Sequence, residues 1–341
     1  MTTLHESWSR REFVGGLALA GTAGFLGLRP DVAGGEPPPE TTKLRVLFRR
    51  GNICQSGLLI LAEEALHQEG FTELQYVVKP TVAEYFQALI SGEGDISMQF
   101  SASAIVYMEE GAPIVFLAGA HVGCLYLFGT DKVRAIRDLK GKTIAVPAMR
   151  SSQHVFVASM LAYVGIDPRK GVNWVTHPLA ESARLLTEGK VDALLAIPPE
   201  AQELRAKRIG HVVVDTMMDR PWSSYLCCVP TGYRDFVRNN PVATKRALRG
   251  IFRTADVLDR ERERVARVLV DSGYTGNYDY ALEALKDIHY GGWRKYAPED
   301  TVRFYALRLH EAGFIKSNPK KIIAQGTDWR FFNELKKELK G

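Results

Sequence analysis

The stretch Ile114-Val115-Phe116-Leu117-Ala118-Gly119-Ala120-His121-Val122-Gly123-Cys124-Leu125-Tyr126-Leu127-Phe128-Gly129 is an almost unbroken apolar run, relieved only by Gly119, His121 and Gly123. It is longer than one strand of one sheet requires, since strands usually run 3–10 residues. A chain that leaves one sheet, crosses a gap and enters a second sheet would read this way. A matching return lies at Tyr225-Leu226-Cys227-Cys228-Val229. Two crossings predict two α/β lobes joined by a two-stranded hinge, with a ligand cleft between them.

Outward from this run, short apolar segments alternate with helical patterns, which predicts an α/β protein with mostly parallel strands. Strands are expected at 44–48, 74–78, 96–100, 114–118, 125–128, 143–146, 172–176, 193–197, 211–215 and 225–229. Helices are expected at 56–68, 82–91, 153–163, 180–188 and 199–208. After Pro230 the strands are expected to stop and the remainder to be helical.

The N-terminus reads Ser9-Arg10-Arg11-Glu12-Phe13-Val14-Gly15, followed by an apolar run to Leu28. Paired arginines before a Gly/Ala-rich apolar segment mark a twin-arginine export signal. The run from Gly15 to Leu28 falls short of the ~20 residues a membrane helix needs, and it carries five glycines. A polar, Pro/Gly-rich tether follows. The expected organisation is a signal peptide over 1–33, a linker over 34–42, one lobe from 43–124 with 226–341, and a second from 125–225. The product is expected to be periplasmic.

Hydrophobic and charged fractions of 46% and 24% are those of an ordinary globular protein. The formal net charge is only +5, and basic residues alternate with acids, as in Arg260-Glu261-Arg262-Glu263-Arg264. No basic stripe with interleaved aromatics suggests nucleic acid. Cys54, Cys124, Cys227 and Cys228 lack a metal-type spacing along the chain and sit in apolar surroundings, so buried free thiols are expected. No metal and no cofactor is expected.

An ordered set of segments carries a family resemblance. Ala88-Leu89-Ile90-Ser91-Gly92-Glu93-Gly94-Asp95-Ile96 is followed by Gly111-Ala112-Pro113-Ile114-Val115. Then come Ile136-Arg137-Asp138-Leu139-Lys140-Gly141-Lys142-Thr143-Ile144-Ala145-Val146 and Glu188-Gly189-Lys190-Val191-Asp192-Ala193. Over about residues 43 to 330 the chain resembles periplasmic substrate-binding proteins of ABC importers, in the nitrate/sulfonate/taurine group that also holds thiamine-pyrimidine-precursor binders. The resemblance implies a two-lobed type II periplasmic binding protein fold with a two-stranded hinge and a helical C-terminal tail. It also implies a small-molecule ligand, an ABC permease with its ATPase subunit as partners, and a monomer with no catalytic residues.

Ligands of open α/β sheets sit beyond the carboxyl ends of strands, against helix N-termini. The candidate loops are therefore 52–55, 101–103, 121–124, 149–154 and 198–200. Within them Asn52, Cys54, Gln55, Ser101, Ala102, Ser103, His121, Cys124, Pro198 and Glu200 are candidate ligand-binding residues. Arg150, Ser151 and Ser152 are the sharpest set, with two hydroxyls opening a helix beside a cation. An ordinary N-cap is the plainer reading of the serines. His154 either contacts ligand or packs under its helix, and Trp222 either walls the cleft or packs the hinge. Arg150 and helix N-termini favour an anion or a group with a negative end. As an enzyme the chain would want a nucleophile elbow, and no G-x-S-x-G occurs. The branch of this fold that makes thiamine pyrimidine carries a cysteine-rich run, from which the lone pair Cys227-Cys228 departs.

Overall fold

The structure is a computed structural model and describes residues 36–49 and 52–339. The twin-arginine segment and the cleavage position near Ala33 lie outside the described residues. From Pro38 onward the chain forms one compact unit.

In chain order this unit begins β1 (Lys43–Phe48), α1 (Ile53–Ile60), α2 (Glu63–Gln68), β2 (Glu73–Val78), α3 (Val82–Ser91), β3 (Ile96–Phe100) and α4 (Ser101–Glu109). The long apolar run then supplies β4 (Ile114–Phe116), β5 (His121–Val122) and β6 (Tyr126–Gly129). Next come β7 (Thr143–Val146), α5 (Ser152–Tyr163), β8 (Asn173–Thr176), α6 (Leu179–Thr187), β9 (Ala193–Ala196), α7 (Glu200–Ala206), β10 (His211–Asp215) and β11 (Leu226–Tyr233). The tail is α8 (Arg234–Asn239), α9 (Pro241–Arg260), α10 (Arg262–Asp271), α11 (Tyr278–Asp287), α12 (Pro298–Glu311), α13 (Pro319–Gly326) and α14 (Arg330–Glu338).

Two sheets result. The first has the order β2-β1-β3-β11-β4 with β5 beside β11, and the second has the order β10-β6-β9-β7-β8. The expectation of mostly parallel strands needs correction. β1 runs parallel to β2 and β3, and β7 to β8 and β9, but β11 is antiparallel to β3, β4 and β5, and β6 is antiparallel to β9 and β10. The reason is where the crossings enter. Near its start β11 sets Cys228 opposite Phe100, the last residue of β3, and β6 sets Tyr126 opposite Ala196, the last of β9. Each crossing strand thus enters its sheet at the carboxyl edge and must run back against its neighbour.

The two crossing segments are tied to one another. Thr216 Oγ1 donates to the Leu125 carbonyl at 2.8 Å and accepts from the Leu125 amide at 2.9 Å, and the Thr216 amide donates to the same carbonyl. Thr216 is buried, so this exchange replaces hydrogen bonds that water could not supply. Close by, Gly123 adopts φ +73° and Cys124 φ +78°. The left-handed region costs a non-glycine residue about 1–2 kcal/mol, so Cys124 holds its place against backbone strain.

Two smaller corrections follow. The helix expected over 56–68 is two helices, and the first starts at Ile53, which puts Cys54 and Gln55 on a helix rather than in a loop. β11 continues through Pro230 to Tyr233. The proline is tolerated there because it faces the break between β4 and β5, where its carbonyl still accepts from Leu117.

The helical tail binds elements of both sheets. α12 packs on α4 and on α5. The Asp287 carboxylate at the end of α11 accepts from Tyr126 Oη at 3.0 Å, Gln202 Nε2 at 3.1 Å and Arg205 at 2.9 Å.

Candidate functional site

A cavity of about 360 Å³ opens where the carboxyl edges of the two sheets face each other. The first sheet contributes Arg49 just past β1, Asn52 and Gln55 around the start of α1, and Gln99 and Phe100 at the end of β3. Tyr85 of α3 and Tyr107 of α4 complete that wall. The second sheet contributes Pro147 and Ala148 after β7, Ser151, Ser152 and Gln153 at the start of α5, and His177 after β8. Leu179, Ser182 and Ile197 add apolar and hydroxyl surface, and Glu200 closes the lining at the start of α7.

The N-terminus of α5 is built by a cap. Ser151 is buried and its Oγ accepts from the His154 amide at 3.3 Å. That bond satisfies one of the amides a helix start leaves without an intrahelical partner. Ser152, in the first turn, has its hydroxyl outside this cap. Facing the cavity, the positive end of a twelve-residue helix favours negative charge.

Arg49 supplies the second positive element. Burial pushes the Tyr85 and Tyr107 phenols up, and the Arg49 charge offsets part of that rise in both. The base of this wall is a chain of polar side chains. Gln99 Nε2 donates to Tyr85 Oη and to Ser97 Oγ at 3.1 Å, and Ser97 shares a 2.8 Å hydrogen bond with Thr231 Oγ1. Held at one end by β3 and β11, the chain fixes the Gln99 and Tyr85 groups that line the cavity. On the opposite side, burial and then the neighbouring Glu203 charge push the Glu200 carboxyl up to about 7.

Of the residues expected at the site, the cavity brings together Asn52, Gln55, Ser151, Ser152 and Glu200. The others sit elsewhere. Ser101, Ala102 and Ser103 are buried behind the lining, and Ser101 Oγ is spent on the Leu226 and Cys227 carbonyls at 2.6 and 3.0 Å. Arg150 turns outward to an ion pair with Glu110 on the first-sheet side. His154 packs under α5, its ring edge-on to Trp174 at 4.5 Å and its Nδ1 accepting from the Arg150 amide at 2.8 Å. Burial and then the Arg150 charge hold its pKa down to about 4, so it is a neutral packing residue. Pro198 is buried beside the lining. Trp222 is 2% exposed and packs on Tyr163 and Phe304 at 5.5 and 5.6 Å, which is the hinge-packing reading. Cys54, His121 and Cys124 lie behind the Asn52 wall with Cys228.

Arg49, Tyr85, Gln99, Tyr107 and His177 were not among the expected residues. Arg49 had a readable signal, for it follows β1 at the carboxyl edge that located the other loops. The two tyrosines and Gln99 sit inside regular elements and reach the cavity only through packing. Chemically, the lining offers a cation, a helix N-terminus, amide and phenol donors and one readily protonated carboxyl, a set suited to holding a polar small molecule.

Residues 38–270 match the model of the NMT1-like family. No curated protein sequence matches the chain. Among solved structures, the periplasmic nitrate-binding protein NrtA from Synechocystis superposes with a TM-score of 0.71 at 15% identity, covering 89% of this chain and 90% of that one. The alkanesulfonate-binding protein SsuA from Xanthomonas axonopodis pv. citri, bound to MOPS, gives 0.65 at 15% identity, covering 85% of this chain and 99% of that one. A Candida albicans protein described as having the generic periplasmic binding protein fold gives 0.64 at 14% identity, covering 84% and 96%. The two-sheet architecture is therefore the periplasmic binding protein fold.

Proposed function

The chain belongs to the NMT1-like family, and from that premise we propose that it is the solute-binding component of an ABC importer, capturing a small organic anion or zwitterion between its two sheets. The observation that carries this reading is the cavity itself, in which Arg49 and the N-terminus of α5 are presented from opposite sheets. Solved structures of the same fold are described as binding nitrate and an alkanesulfonate, both oxyanions. Size separates these two. A water occupies about 30 Å³ of liquid, so a space of about 360 Å³ would be mostly water around an ion as small as nitrate. An organic molecule with an anionic head and an apolar or hydrogen-bonding body fills it better. The protein then works as a periplasmic monomer exported by the twin-arginine route, passing its ligand to a permease driven by an ATPase. Residues 43–124 with 226–341 form one lobe, 125–225 the other, and the ligand stabilises their closed arrangement.

Calorimetric titration with a panel of aliphatic sulfonates, aminosulfonates and carboxylates tests the reading. Ser152→Ala is expected to lower the affinity of the bound member roughly tenfold, the worth of a charge-assisted hydrogen bond. Because Ser151 is the cap, the unfolding midpoint should stay put. An unchanged affinity would remove Ser152 from the site.

Glu200 decides between anion and zwitterion. Its folded pKa of about 7 lies above the ordinary 4.5. An anion should therefore bind more weakly as pH rises through about 7, when Glu200 ionises and repels it. A ligand carrying an ammonium should bind more tightly over the same range. Stability follows a fixed sign in both cases. Between about pH 4.5 and 7 the unfolded chain holds fewer protons at this position than the folded one, so stability falls with rising pH, by on the order of 2 kcal/mol. Melting curves of wild type and Glu200→Gln across that window should diverge, with the variant flatter.

A further inference from the structure

We propose that Cys54, His121, Cys124 and Cys228 form a buried site for one thiophilic metal ion, Zn²⁺ by its donor set. The four donor atoms, three Sγ and one imidazole nitrogen, all lie within 4.8 Å of one another. A tetrahedral zinc with Zn–S near 2.3 Å sets its ligands about 3.8 Å apart, so a small contraction closes the shell. Three thiolates and one histidine are a usual closed set for structural zinc.

The fold goes out of its way to assemble these donors. Cys228 stands opposite His121 in the β11–β5 ladder, beside a register shift between Leu226 and Cys228. Cys124 reaches the cluster from φ +78°, a conformation in which an L side chain is strained. Cys54 arrives from the first turn of α1. All four are fully buried.

His121 adds an independent argument. Its Nδ1 lies 3.1 Å from the Val122 carbonyl and its Nε2 lies 3.1 Å from the Cys54 carbonyl. A neutral imidazole serves only one of these carbonyls with its N–H, and the ring also makes a side-chain hydrogen bond with Cys228. A metal ion shared with Cys228 would take the ring's lone pair and leave the N–H to its carbonyl, the usual outer partner of a ligating histidine. Cys227, with Sγ 3.2 Å from that of Cys124, would remain a thiol and donate to the Cys124 thiolate.

The site touches the ligand wall. Cys54 Sγ donates to Asn52 Oδ1 at 2.6 Å, Asn52 Nδ2 donates to Gln55 Oε1 at 3.0 Å, and both Asn52 and Gln55 line the cavity. With an ion bound, Cys54 is a thiolate that can only accept, so the Asn52 amide would turn its Nδ2 to the sulfur and the ion would set the orientation of Asn52 at the start of α1. Being fully buried, the site must fill as the chain folds, and export of an already folded chain would deliver it loaded.

The test is metal analysis of the protein produced in zinc-supplemented medium and purified without chelator. One zinc per chain is expected. Cys228→Ser should lose the metal, whereas Cys227→Ser, which leaves all four donors, should keep it. Should Cys228→Ser fail to fold, wild type refolded from denaturant with zinc should melt higher than wild type refolded with chelator, and Co²⁺ refolding should give the visible bands of a tetrahedral cobalt thiolate. Metal-free protein with four free thiols and a melting point indifferent to zinc would overturn the proposal. So would a Cys124–Cys227 disulfide in the purified protein.

Discussion

Replacing Arg49 with methionine is expected to weaken binding of the anionic ligand roughly ten- to a hundredfold, the range of a charge-assisted hydrogen bond. Methionine keeps much of the apolar stem that arginine lays along the wall and removes only the charged head. The remaining positive element is the N-terminus of α5, whose contribution is about 0.3–1 kcal/mol at exposed sites and larger when partly buried. Among the described lining residues Arg49 is the one Lys or Arg, so its guanidinium is expected to contribute most to holding an anion. Arg49→Lys should recover part of the loss, since an ammonium keeps the charge and lacks the planar fork. Calorimetric titration reads the effect, with the unfolding midpoint measured in parallel. Equal affinity for wild type and Arg49→Met would place the anion elsewhere in the cavity.

The second large effect concerns the crossing between the sheets. Gly123→Ala is expected to destabilise the protein by about 3–4 kcal/mol, combining left-handed strain with overpacking. A Cβ at Gly123 would lie 1.8 Å from Met217 Cγ and 2.7 Å from Met217 Cα, at φ +73°. The Met217 side chain can swing away, but its Cα belongs to the returning segment, which Thr216 ties to Leu125. Relief therefore requires the two crossing segments to part. Gly165→Ala is the control: φ is +80° there and nothing lies within 4 Å of the added carbon. It should cost only the conformational part, about 1–2 kcal/mol. Chemical denaturation of the two variants separates the terms, and equal losses would mean that the crossing tolerates displacement.

The apolar run at 114–129 and the alternation around it made the order of elements legible, because short buried strands and amphipathic helices leave distinct patterns. Strand direction was not legible. Nothing in Tyr126–Gly129 or Leu226–Tyr233 says that these strands run against their neighbours, for a buried strand is apolar on both faces whichever way it points. Five of the lining residues were legible from one rule, that carboxyl-edge loops border the cleft: Asn52, Gln55, Ser151, Ser152 and Glu200. Tyr85 and Tyr107 escaped it because a residue in mid-helix reaches a cavity only through the angle at which its helix packs. The cysteines are the sharpest case. Spacing along the chain gave no hint of a shared site, yet pairing of β5 with β11 sets Cys228 opposite His121 across more than a hundred residues of sequence.

On the proposed function this cavity holds a small organic anion or zwitterion through Arg49 and the start of α5. Native mass spectrometry of protein purified from its own host, wild type beside the Arg49→Met, Ser152→Ala double variant, reads this out. One small-molecule adduct is expected on the wild type, identified after release as carrying a sulfonate, carboxylate or phosphate group, and missing from the double variant. An adduct retained equally by both proteins, or one without an anionic group, would contradict it.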